Sequence, residues 1–99
     1  MKPLHSIPAL RRLARAIIWF EAPGKALRDP VRFLAYAMAY ATARELAVLY
    51  KHVPSRDLQA ALCLAPPGIM DKRSWAYWHT VFGMHPMPPM PKRNATRGK

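Results

Sequence analysis

Eleven prolines among 99 residues limit this chain to short regular elements. A proline inside a helix removes a backbone hydrogen bond and clashes with the preceding turn, so helices begin at prolines or end before them. The longest apolar segment, residues 33–50, contains Arg44 and Glu45 and falls short of the roughly 18 to 20 apolar residues of a membrane span. The sequence therefore predicts several short helices joined by turns.

Helix starts are marked by acidic and hydroxyl side chains. Asp29 directly precedes Pro30, and both residue types favour the first turn of a helix. Thr42 and Glu45 have the spacing of a capping box, and Asp71 caps a further helix. Together with the hydrophobic periodicity, these starts predict five helices, over residues 9–20, 30–40, 43–51, 56–64 and 72–82. The predicted fold class is all-α, a small single domain.

Along the chain, the sequence divides into three parts. Residues 1–28 are predicted to form a basic amphipathic helix and a loop, and residues 29–84 a helical core domain. Residues 85–99 are predicted to form a proline-rich basic tail, extended where the prolines are dense. Because Pro23 and Gly24 lie within residues 21–28, that segment is predicted to be a loop that lets the first helix move independently.

The charge of the chain is strongly positive, with 16 Lys and Arg against 5 Asp and Glu and a net charge of +11. A small domain with this excess is expected to meet a negatively charged partner. The first helix places one group of side chains together on its polar face, and the tail adds two further cations. This basic set is Arg11, Arg12, Arg15, Trp19, Lys92 and Arg93. It is interpreted as a solvated face, as phosphate contacts to nucleic acid, or as contacts to an anionic membrane surface.

Large aromatic side chains dominate the last predicted helix, where Trp75, Trp78 and Phe82 share one face with His79. In so small a chain they supply core area, and they are also residue types of interface hot spots. The prolines after this helix are interpreted either as a strap over the domain or as a segment that binds a groove of another protein. The predicted partner-binding residues are Trp75, Trp78, Phe82, Pro88, Pro89 and Pro91.

The sequence offers little that would support catalysis. The four histidines lack the spacing of a zinc site, and neither a glycine-rich phosphate loop nor a nucleophile elbow occurs. Cys63 is the single cysteine, which excludes an internal disulfide, and it is expected to lie in the core. We therefore expect no enzymatic activity, no cofactor and no metal, and a reducing, cytoplasmic location.

Residues 29–42, 65–83 and 88–93 resemble a family of small bacterial proteins that are often encoded beside nucleotidyltransferase toxins of the abortive-infection class. The most specific part of the resemblance is the Ser-Trp-x-Tyr-Trp motif at residues 74–78. The resemblance implies an antitoxin that neutralises a co-encoded nucleotidyltransferase toxin by direct protein–protein contact. Two alternatives stay open: a basic nucleic-acid-binding protein, such as a regulator or ribonucleoprotein component, and an accessory subunit of a larger complex.

Overall fold

Proline occupies the first position of three of the six α-helices in the computed structural model, which describes residues 4–91. The helices are α1 (Pro8–Ile17), α2 (Pro23–Arg28), α3 (Pro30–Tyr40), α4 (Ala43–His52), α5 (Ser55–Cys63) and α6 (Lys72–Val81). No strand occurs in the described residues, and the predicted all-α class is confirmed. Residues 4–91 contain six helices rather than the predicted five.

The predicted helix starts are confirmed by their hydrogen bonds. The Asp29 carboxylate accepts a bond from the Arg32 backbone N–H at 3.2 Å, and Asp71 accepts one from Ser74 at 2.7 Å. Thr42 and Glu45 form the full capping box, with bonds of 3.1 and 2.9 Å. Each of these bonds satisfies a backbone N–H that the helix itself leaves without a partner.

Helix α3 lies at the centre of the fold and packs against α1, α2, α5 and α6. Its side chains Phe33, Leu34, Ala35 and Ala37 are completely buried. The alanines let neighbouring helices approach closely, while Phe33 and Leu34 supply apolar area on other sides of the same helix. Because α3 is covered on so many sides, the other helices share one hydrophobic core around it.

The prediction of a loop over residues 21–28 is wrong in part, because helix α2 forms within that segment. Ala26 and Leu27 of α2 are buried in the common core, and the Leu4 backbone N–H donates to the Leu27 carbonyl at 3.1 Å. Helix α1 ends at Ile17 instead of continuing to Phe20. Its apolar face is buried against α2, α3 and α4. In this structure α1 is therefore part of the core and not an independent arm.

The proline-rich segment folds back over α6. Gly83 ends that helix with a positive φ of 64°, as expected for glycine after a helix. The chain then runs extended, with a cis peptide bond between His85 and Pro86. The Trp75 indole N–H donates to the Pro88 carbonyl at 2.9 Å. Up to Pro91, residues 85–91 are thus a strap over the domain, and we call them the proline strap.

Trp78 joins α6 to the centre of the fold. Its side chain is 2% exposed, and its indole N–H donates to the Met38 carbonyl at 2.8 Å. We expect Trp78→Ala to lower the free energy of unfolding by about 3 to 5 kcal/mol, because it leaves a void and removes this bond. Urea unfolding followed by circular dichroism measures the change. Tyr77→Ala, at a mostly exposed side chain on the same helix, should cost less than about 1 kcal/mol. Equal losses for the two variants would contradict this account.

Candidate functional site

Four aromatic side chains form a continuous row where the end of α1 meets α3 and the start of α4. The ring centroids of Trp19 and Phe20 are 5.6 Å apart, those of Phe20 and Tyr36 are 6.0 Å apart, and those of Tyr36 and Tyr40 are 6.1 Å apart. These side chains line a groove of about 350 Å³ together with Ala16, Ile17 and Glu45. We call it the aromatic groove.

The groove arises because α1 stops early. Ile18, the residue after α1, is completely buried, and the chain then turns so that Trp19 is 78% exposed and Phe20 51% exposed. Tyr36 and Tyr40 lie one turn apart on α3, so their side chains share a face of that helix. Tyr40 at the end of α3 is 64% exposed. Three of the four rings are thus more than half exposed side by side, which makes this groove the candidate binding site.

An ion pair holds this turn in place. Arg32 on α3 donates to the Glu21 carboxylate at 2.7 Å, and its guanidinium carbon lies 5.4 Å from the Tyr36 ring centroid and 6.0 Å from that of Phe20. The hydrogen bond and positive charge of Arg32 lower the pKa of Glu21 below its ordinary value. The bond to Glu21 in turn raises the pKa of Arg32. The pair connects the chain after α1 to α3 and so supports two rings of the groove.

Exposed arginines border the aromatic groove. Arg15 directly precedes the groove residue Ala16, Arg12 lies one helical turn earlier, and both are exposed on α1. Arg44 is exposed on α4, next to Glu45. Of the predicted basic set, Arg12, Arg15 and Trp19 are exposed, and their role as contacts stays a prediction. Arg11 differs from the others, because it is half-buried and donates to the Ser6 hydroxyl at 2.8 Å. Lys92 and Arg93 lie outside the described residues.

All five carboxylate side chains lie in the fold at positions that stabilise helix starts or the turn after α1. Asp29, Glu45 and Asp71 form the caps, Asp57 lies in the first turn of α5, and Glu21 pairs with Arg32. That pair is the single ion pair within residues 4–91, which hold eleven Lys and Arg side chains. The other ten cations have no carboxylate partner within the described part of the chain.

The structure buries two of the predicted partner-binding residues, Trp75 and Trp78. Trp75 is 5% exposed, Trp78 is 2% exposed, and Phe82 is half-buried. In this structure the two tryptophans supply core area and hydrogen-bond donors, and a partner-binding role for them stays a prediction. Pro88 and Pro89 are exposed and Pro91 is half-buried. These prolines cover Trp75, and whether they also bind another protein stays a prediction.

The remaining chemistry-bearing side chains are dispersed. Cys63, expected in the core, is exposed at the end of α5. His79 is buried, and its Nδ1 lies 2.7 Å from the Trp75 carbonyl. Among residues 4–91, no cluster of three or more His, Cys, Asp or Glu side chains is arranged to hold a metal ion. None of the helices in this range combines the length and apolar content needed to cross a membrane.

The chain matches no protein-family model, no curated protein and no solved structure. The resemblance to antitoxin-like proteins therefore stays a prediction from sequence. Sequence reasoning also missed Phe20, Tyr36 and Tyr40 as site residues. The sequence pattern that could have identified the two tyrosines is their spacing, one turn apart beside an otherwise apolar face of α3.

The ion pair predicts a pH dependence. Because folding lowers the pKa of Glu21 from its ordinary value of 4.5, the unfolded chain binds more protons in this range. The stabilisation from the pair is therefore present above pH 4.5 and lost as the pH falls through the lowered folded-state pKa. We expect Glu21→Gln to be less stable than the wild-type protein at neutral pH and to converge with it in acid. Urea unfolding over a pH series measures this difference. A difference that stays constant with pH would contradict the assignment.

Proposed function

We propose that this protein binds nucleic acid through the arginine-bordered surface of α1 and the start of α4. The observation that carries the proposal is the placement of the acidic side chains. All five serve helix starts or the Arg32 pair, so the other cations of residues 4–91 lack carboxylate partners. A phosphate backbone supplies the missing negative charge, and binding it releases condensed counterions, which favours association.

The arrangement on α1 favours a polyanion over a merely solvated face. Arg12 and Arg15 lie three residues apart on α1, and like charges at that spacing destabilise a helix by about 0.2 to 0.5 kcal/mol per pair. Phosphates between the guanidinium groups relieve this repulsion, and the planar arginine fork suits phosphate oxygens. The apolar face of α1 is already buried in the core. Burial of that face argues against insertion of α1 into an anionic membrane surface, which would need it free.

A cytoplasmic location belongs to the same proposal. Cytoplasmic proteins meet nucleic acid directly, and an exposed, unpaired cysteine such as Cys63 fits a reducing compartment.

The salt dependence of binding tests the proposal. We expect the full-length protein to bind a mixed-sequence oligonucleotide with a log–log salt slope of about −0.7 to −0.9 per phosphate contact. Changing Arg12 and Arg15 together to Gln should reduce the slope by about two contacts, because both side chains are exposed. Fluorescence anisotropy between about 50 and about 200 mM salt measures it.

Arg11→Gln is the matched control from the same helix, since Arg11 is half-buried and held by Ser6. It should change the slope less than either exposed arginine does. Absence of binding at low salt, or an affinity that does not change with salt, would refute the proposed function.

A second candidate function, the antitoxin role implied by the resemblance, is favoured by a separate apolar surface. Tyr50 on α4 and Tyr77 on α6 are both more than half exposed, and Val81 is 49% exposed. Partial burial, and secondarily the Tyr77 phenol, raise the pKa of Tyr50 above its ordinary value of 10.0. Tyrosine is enriched among the hot spots of protein interfaces. All three residues lie within residues 29–93, the range that the resemblance spans.

Co-expression tests the antitoxin role. If a gene adjacent to the one for this protein encodes a nucleotidyltransferase toxin, the wild-type protein should restore growth of cells that produce it. The variant with Tyr50 and Tyr77 both changed to Ala should lose rescue, while Trp19→Ala should keep it. Failure of the wild-type protein to rescue, or rescue that the double variant retains, would contradict this role as placed on the Tyr50 and Tyr77 surface.

A further inference from the structure

We infer that the aromatic groove binds single-stranded nucleic acid by stacking unpaired bases on Trp19 and Tyr40. The inference rests on the proposed nucleic-acid binding and names the substrate class of that surface. Duplexes present phosphates but keep their base faces stacked inside. Single strands offer free base faces, and aromatic side chains beside cations are the usual means of holding them.

The rings of Trp19 and Tyr40 are exposed and have free faces. The rings of Trp19 and Phe20 meet edge to face at an interplanar angle of 88°, so Phe20 does not stack on the indole of Trp19. Tyr40 stacks with Tyr36 on one side at 29° and is still 64% exposed. Both rings therefore keep aromatic surface available for a planar ligand.

The size of the groove and its charges are consistent with nucleotides. Its volume of about 350 Å³ falls within the range of about 300 to 1,000 Å³ typical of pockets for small molecules. Exposed Arg15 on α1 and exposed Arg44 on α4 each directly precede a residue that lines the groove. The carboxylate in the groove, that of Glu45, accepts the backbone N–H of Thr42 at 2.9 Å and is part of a helix cap. Bases stacked on the rings thus have cations nearby for their phosphates.

A second depression beside the aromatic groove would extend the binding surface for a nucleic-acid strand. Tyr40 also lines a second depression of about 360 Å³, together with Gly68, Ile69, Met70, Asp71, Met90 and Pro91. Tyr40 therefore connects two adjacent depressions, which suits an extended ligand better than a compact one.

Trp19 provides a direct optical probe of this contact. The chain has three tryptophans, and Trp75 and Trp78 are buried whereas Trp19 is 78% exposed. We expect titration of the full-length protein with a short oligothymidylate or oligouridylate to quench the fluorescence of Trp19. A hairpin duplex with the same number of phosphates should bind more weakly and quench less. Trp19→Phe should keep most of the affinity and lose the quenching.

Two alanine variants test the stacking itself. Trp19→Ala and Tyr40→Ala should each weaken binding of the oligothymidylate by between about 5-fold and about 150-fold, with little change in the salt slope. Tyr77→Ala, at another exposed aromatic outside the groove, should bind like the wild-type protein. Circular dichroism of each variant checks that the exposed substitutions leave the helices intact.

The outcomes separate the two proposals. Salt-dependent binding that is equal for single strands and hairpin, and unchanged in the Trp19 and Tyr40 alanine variants, would overturn the stacking inference and leave nucleic-acid binding standing. No binding of any oligonucleotide would remove both. If a protein ligand and no oligonucleotide quenches Trp19, the groove is a protein interface and the inference is wrong.

Discussion

The structure of residues 4–91 depends on stabilising the first turns of its six short helices. Each described helix has eleven residues or fewer, and isolated helices of this length are marginal in water. Carboxylates at a helix start bind free backbone N–H groups and interact favourably with the helix dipole. The chain has five carboxylate side chains in total, and four of them lie at helix starts. The fifth, Glu21, fastens the turn after α1 to α3.

This use of the acidic residues links the fold to the surface charge. In the described part of the chain, no carboxylate at a helix start forms an ion pair with a lysine or arginine side chain. The carboxylates that stabilise the starts of α3, α4, α5 and α6 thus leave the exterior positive. A polyanionic partner then lowers the electrostatic energy of the surface without any change in the fold.

The sequence predicted what depends on local interactions and missed what depends on packing between distant segments. The caps at Asp29 and Asp71 and the capping box of α4 involve residues three positions apart, so their types and spacing identify them. Helix α2 was missed because Pro23 and Gly24 are typical of turns, whereas burial of Ala26 and Leu27 decides its conformation. The apolar face of α6 was recognised, but periodicity does not distinguish a core face from an interface. The groove needs the end of α1 beside α3, which no local pattern shows.

Helix α1 has a buried apolar face and an exposed basic face. Its apolar side chains Leu10, Leu13 and Ile17 lie in the core, while Arg12 and Arg15 are exposed beside the groove. Deleting residues 1–28 would expose the core partners of α1 and α2 and so remove the fold together with the charge. Neutral substitutions at the exposed arginines change the electrostatics and leave the buried face untouched. Substituting the exposed arginines individually therefore changes the basic surface without changing the stability of the fold, whereas deleting the segment changes both.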